Sequence, residues 1–87
     1  MSMHDRRRVA TAFGAILRTA RAGAGISQEE LAERADIDRT YPSLLERGLR
    51  QPTLSKVIDI ANAIGIEPAV LVTLTVARIR WEEFDLR

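Results

Sequence analysis

Phe13, Ile16, Leu17 and Ala20 recur at i, i+3, i+4 and i+7, the spacing of one apolar stripe on an α-helix. The pattern should stop near Ala22, because Gly23 and Gly25 follow and glycine readily adopts the backbone of a helix C-terminus. The chain restarts on Ser27-Gln28-Glu29-Glu30, a capping box in which Ser27 caps forward and Glu30 reaches back. Ile26 and Leu31 are spaced for the hydrophobic staple around it; Leu31, Ala32 and Ala35 then face inward up to a stop at Asp36. Asp38 is expected to cap a third helix that runs to about Arg47 and ends at Gly48. Pro42 falls fourth in that helix, where it lacks the N–H of the first intrahelical bond and crowds the Asp38 carbonyl, so a distorted first turn is expected. Thr53 caps a fourth helix with Leu54, Val57, Ile58, Ala61 and Ile64 as its apolar face, and Gly65 ends it. Pro68 suits the first position of a fifth, stapled by Ile66 and Leu71. Beyond Val70 the pattern is mixed. The run to Val76 is rich in β-branched residues, and Arg78-Ile79-Arg80-Trp81 alternates as a strand does. The reading favours helix to about Arg78 and leaves residues 80–87 open between helix and strand.

These elements describe an all-α fold of five helices in one domain, with residues 1–8 as a flexible N-terminal tail, 9–66 as the helical core and 67–87 as a C-terminal segment. Arg6–Arg8 lead from the tail into the first helix. A hydrophobic content of 46% with 29% charged residues places the chain among globular rather than disordered sequences. There is no Cys, and His4, the one His, falls in the polar tail, so neither a metal site nor a cofactor is expected. With no P-loop or glycine-rich nucleotide motif either, an enzyme is not expected. No run approaches the ~18–20 apolar residues of a membrane span, and the start lacks a signal-peptide apolar region. The expectation is a soluble, cytoplasmic protein with no membrane partner and no evident small-molecule ligand.

Net charge is only +1, so any affinity for a polyanion must come from a patch. Twelve of the thirteen basic residues are Arg, the side chain whose planar fork suits phosphates and guanine edges. Acidic residues concentrate between Glu29 and Asp38, whereas Arg39, Arg47 and Arg50 follow closely after. On the third helix Pro42 and Leu45 should turn inward with Ile37. Arg39, Thr40, Ser43, Leu44 and Arg47 then share the outward side, which carries no carboxylate of its own. Two short helices joined by a tight turn form the unit that places a recognition helix in the major groove of double-stranded DNA. Leu44, unexplained in water, could meet a thymine methyl there.

The run Ile26-Ser27-Gln28-Glu29-Glu30-Leu31-Ala32-Glu33-Arg34-Ala35, then Ile37-Asp38-Arg39-Thr40-Tyr41-Pro42-Ser43, Glu46-Arg47-Gly48 and Pro52-Thr53-Leu54, resembles the phage-repressor-like (XRE-type) helix-turn-helix family. The resemblance covers about Phe13 to Leu74. The segment Asp38-Arg39-Thr40-Tyr41 in so short a chain is also similar to the controller proteins of restriction–modification systems. The resemblance implies a repressor-like domain with its helix-turn-helix at helices 2–3, acting as a sequence-specific transcription regulator. It implies that Gln28 binds a DNA phosphate and braces the recognition helix, that Arg39, Thr40 and Leu44 read bases, and that Arg47 and Arg50 hold flanking phosphates. It further implies an ion pair of Arg21 with Glu46. Each position has a plainer alternative: a solvated Arg, a turn-supporting Thr40, a Ser43 on a neutral face, and a Tyr41 that either packs on the core edge or reaches a phosphate. Two departures stand out, Pro42 where the family has a branched aliphatic and Asp36 where it has a turn glycine.

The C-terminal segment supplies more apolar surface than a fifth element needs to cover the core. Val70, Leu74, Ile79, Trp81 and Phe84 are the candidate interface of a homodimer. A two-fold dimer would set two recognition helices about 34 Å apart on a pseudo-palindromic site. The alternatives are that the segment packs within one monomer, that it grips a toxin in an antitoxin-type regulator, or that the chain is a helical module binding an acidic protein.

Overall fold

All five expected elements are α-helices, and no strand occurs among the described residues: α1 (Met3–Gly23), α2 (Gln28–Ala35), α3 (Tyr41–Glu46), α4 (Leu54–Ile64) and α5 (Pro68–Asp85). The structure is a computed structural model that describes residues 3–85, with side chains for residues 5–83. The core gathers Phe13 and Leu17 of α1, Leu31 and Ala35 of α2, Leu45 of α3, Val57, Ile60 and Ala61 of α4 and Leu71 of α5. α1 lies along α3 and α5, while α2 rests on α3 and α4.

Residues 3–8, expected as a flexible tail, are the first turns of α1. The last of them, Arg8, meets Glu83 of α5 at 3.2 Å. α5 likewise runs unbroken to Asp85 instead of changing character after Arg78. Its β-branched residues are accommodated because Leu71 and Thr75 are buried in the fold. The Thr75 hydroxyl donates to the Leu71 carbonyl at 2.9 Å, so its burial leaves no polar group unpartnered. Among the described residues no single helix is long and apolar enough to cross a membrane.

The buried face of α4 also differs from expectation. Val57, Ile60 and Ala61 are buried, whereas Leu54 is 72% and Ile58 41% exposed. Two apolar stripes overlap on this helix and share Val57, Ala61 and Ile64. The packing of α2 and α5 selects the one that contains Ile60.

Two glycines fix how closely the chain packs on α1. A Cβ on Gly14 would overlap the Leu45 carbonyl oxygen and lie 2.8 Å from that of Glu46, so α1 rests directly on the backbone at the end of α3. Gly48, with φ +72°, turns the chain out of α3, and a Cβ there would lie 3.0 Å from the Thr11 Cα.

Candidate nucleic-acid interface

The helix pair is shaped by local chemistry. The Glu30 N–H donates to Ser27 Oγ at 3.0 Å and the Ser27 N–H donates to Glu30 Oε1 at 3.2 Å, which completes the capping box. At the other end Asp36 takes the left-handed conformation, φ 54° and ψ 50°, in the place of the usual glycine. The Ile37 N–H reaches back to the Ala32 carbonyl at 3.0 Å, which closes a Schellman motif.

The third helix begins later than Asp38. Pro42 cannot donate to the Asp38 carbonyl, and that oxygen accepts from the Tyr41 N–H at 3.0 Å instead. Arg39 and Thr40 are thereby drawn into a turn, and Pro42 falls near the start of α3, where a missing N–H costs little. The expected distortion is present, displaced onto the residues before the helix. The Asp38 carboxylate braces this turn, accepting from the Thr40 N–H at 2.8 Å and from the Thr40 hydroxyl. These hydrogen bonds hold the Asp38 carboxyl below its ordinary value of 3.8, so the brace is present above that value and is lost as pH falls through the lowered one.

A four-residue network fastens α3 to its neighbours. Arg21 Nε donates to Glu46 Oε2 at 2.6 Å and Arg21 Nη2 to Glu46 Oε1 at 3.0 Å, a bidentate pair. Arg21 Nη1 donates to the Ile26 carbonyl at 2.8 Å, and Gln28 Nε2 to Glu46 Oε1 at 3.1 Å. The Glu46 side chain is only 4% exposed and that of Arg21 16%. The hydrogen bonds to the Glu46 carboxylate raise the Arg21 guanidinium above its ordinary value, so Arg21 stays charged. Gln28 is thus a brace on α3, and its amide has a second N–H that this bond does not use.

Pro42 and Leu45 are buried, with Ile37 packed against the core, so the inward side is as expected. Tyr41 is half-buried with its ring on the core edge. Arg39, Thr40 and Arg47 are exposed, and Ser43 and Leu44 are half-buried between them. Arg50 is exposed in the loop after α3, its Nη1 donating to the Leu49 carbonyl at 3.0 Å. The structure also brings Glu29 of α2 to 4.0 Å from Arg39, a juxtaposition that spacing along the chain did not show. Both side chains are at least three-quarters exposed, so this contact holds Arg39 weakly. Leu49, 52% exposed beside Arg50, is an apolar surface residue that the helix pattern did not single out.

On α5, Val70, Leu74 and Trp81 are exposed at i, i+4 and i+11, which makes one outward stripe. Ile79 is not on it. It is half-buried on the opposite side, where with Val9, Phe13, Val72 and Val76 it lines an apolar groove of about 290 Å³. Phe84 belongs to α5, but its side chain lies outside the described residues.

A capped helix, a tight turn and a short second helix with a basic outer side define a helix-turn-helix protein. The family model HTH_3, described as Helix-turn-helix, matches residues 17–71, and the chain belongs to that family. Among relatives, Control protein C.BamHI of Bacillus amyloliquefaciens is 42% identical over 50 residues, 58% of this chain and 62% of that protein. The chain spans less than two thirds of the length of the curated relatives it matches. The clp gene regulator ClgR from Corynebacterium glutamicum superposes with a TM-score of 0.82 at 27% identity, covering 88% of this chain and 82% of that one. The restriction-modification controller protein C.AhdI from Aeromonas hydrophila superposes with a TM-score of 0.69 at 40% identity, covering 71% of this chain and 94% of that one.

Proposed function

We propose that the protein is a sequence-specific DNA-binding transcription regulator that occupies a pseudo-palindromic operator as a homodimer and performs no catalysis. The observation that carries this reading is the side of the α3 unit turned away from the core, where Arg39, Thr40, Ser43, Leu44 and Arg47 gather. In the major groove the Arg39 fork suits a guanine edge, the Ser43 hydroxyl suits either base type, the Thr40 oxygen, its proton given to Asp38, suits a base amino group, and Leu44 suits a thymine methyl. Arg47, Arg50 and the second amide N–H of Gln28 suit phosphates, which position the domain without reading sequence. The exposed stripe of Val70, Leu74 and Trp81 supports a two-fold pairing of α5 helices. Likeness to C.BamHI and C.AhdI supports the narrower reading of a controller protein.

Footprinting on the DNA upstream of the protein's own gene tests the reading. Two protected half-sites about one helical turn apart are expected. On that site Arg39→Ala should lose about 1–3 kcal/mol at one base position and relax specificity there. Equal loss on cognate and random DNA would remove Arg39 from base reading, and a single protected half-site would refute the two-fold arrangement.

A further inference from the structure

Arg6, Arg7 and Arg50 line one surface cleft of about 220 Å³, and among the described residues no carboxylate lines it. The three come from opposite regions of the sequence. Gly48 brings them together, because its backbone lies against Thr11, one helical turn after Arg7. The neighbouring Arg8 is neutralised by Glu83 at 3.2 Å. Arg6, Arg7 and Arg50, by contrast, are exposed and belong to no ion pair among the described residues. Three like charges around one cleft repel each other in the free protein, and an anion seated between them removes that repulsion. Arg50 follows Glu46, the last residue of α3, by four residues, so it lies within about 14 Å of the end of that helix, on the chain that leaves it.

The geometry points to a second phosphate seat: Arg6 and Arg7, with Arg50, hold the DNA sugar–phosphate backbone beyond the bases that α3 reads. This rests on the DNA-binding reading above and extends the contact surface to the start of α1. Arg6 and Arg7 carry no sequence information in this role. They add affinity and salt dependence to every duplex alike.

The test is the full-length R6Q/R7Q variant, measured by fluorescence anisotropy on the footprinted operator and on a random duplex between 50 and 200 mM salt. Removing two phosphate contacts per protomer should flatten the slope of log K against log salt by about 1.8 per protomer. Over that fourfold salt range the affinity should then fall about 12-fold less steeply per protomer, with the operator-to-random ratio unchanged. R8Q, which loses a paired Arg of equal charge on the same helix, should leave the slope as in the parent. Circular dichroism of each variant shows that α1 is intact. An unchanged slope in folded R6Q/R7Q, a loss confined to the operator, or an equal flattening in R8Q overturns the seat and leaves the DNA-binding reading standing. Absence of duplex binding by the parent chain overturns both.

Discussion

Replacing Glu46 with Ala removes the acceptor shared by Arg21 and Gln28 and leaves the Arg21 guanidinium charged among groups that exclude most water. Removing one partner of a buried pair typically costs about 3–5 kcal/mol. Arg21 retains the Ile26 carbonyl at 2.8 Å and is 16% exposed, which places the expected loss at the lower end, about 3 kcal/mol. A chain of this size has a total stability of about 4–13 kcal/mol, so the variant remains measurable by urea denaturation. Arg21→Met should cost at least as much, because the Glu46 carboxylate, 4% exposed, then keeps only Gln28 as a donor. The double variant should lose less than the sum of the singles, by about 1–3 kcal/mol, because each single change strands a charge that the double change does not. Additivity within about 0.5 kcal/mol would refute the network as a coupled unit. Under conditions where Glu46→Ala is still folded, the proposed role predicts that operator and random DNA weaken together, since it assigns Arg21, Gln28 and Glu46 no base contact.

Gly14→Ala should destabilise by about 1–3 kcal/mol in urea unfolding, because its Cβ would meet the carbonyls of Leu45 and Glu46 and backbone cannot yield as a side chain can. Helix propensity alone gives the opposite sign, a gain of about 1 kcal/mol, so a stabilised variant would contradict the close approach of α1 and α3. Asp36→Gly should raise stability by about 0.5–1 kcal/mol, because the left-handed backbone at φ 54° strains an L-residue and not glycine. In a thermal melt that corresponds to a midpoint raised by about 2–8 °C, and a lowered midpoint would contradict it.

What was legible in the sequence is what local chemistry decides. Ser27 and Glu30 need only each other, so the start of α2 is where spacing places it, and Pro42 announced a disturbed entry into α3 through its missing N–H. The outward grouping of Arg39, Thr40, Ser43, Leu44 and Arg47 followed from the inward pull of Pro42 and Leu45. What was hidden depends on distant partners. Asp5-Arg6-Arg7-Arg8 has no apolar residue to mark a helix face, and one of its supports is Glu83. The β-branched run in α5 reads towards strand until α1 is laid along it. On α4 the overlapping stripes are equivalent until α2 and α5 choose between them. Ile79 and Trp81, two residues apart, fall on well-separated sides of α5 once that segment is helical, which splits an interface that alternation would have kept together.

The six residues of α3 are too few to form a helix on their own, because nucleation costs more than so short a ladder of hydrogen bonds returns. Its direction must therefore be imposed by contacts outside it. Gly14 seats α1 against the final carbonyls of α3, Arg21 clamps Glu46, Gln28 braces the same carboxylate from α2, and Gly48 turns the exit onto Thr11. All four contacts converge on the C-terminal end of α3. Its N-terminal end, where Arg39 and Thr40 stand, is held by Asp38, Pro42 and the core-edge ring of Tyr41. On the DNA-binding role proposed above, the end assigned to bases is thus the more lightly fastened of the two, and the end assigned to phosphates is anchored. On this arrangement substitutions at Gly14, Arg21 or Gly48 change how firmly the domain holds any duplex. Changes at Asp38 or Pro42 should, on the same proposed role, alter which sequence Arg39 can reach.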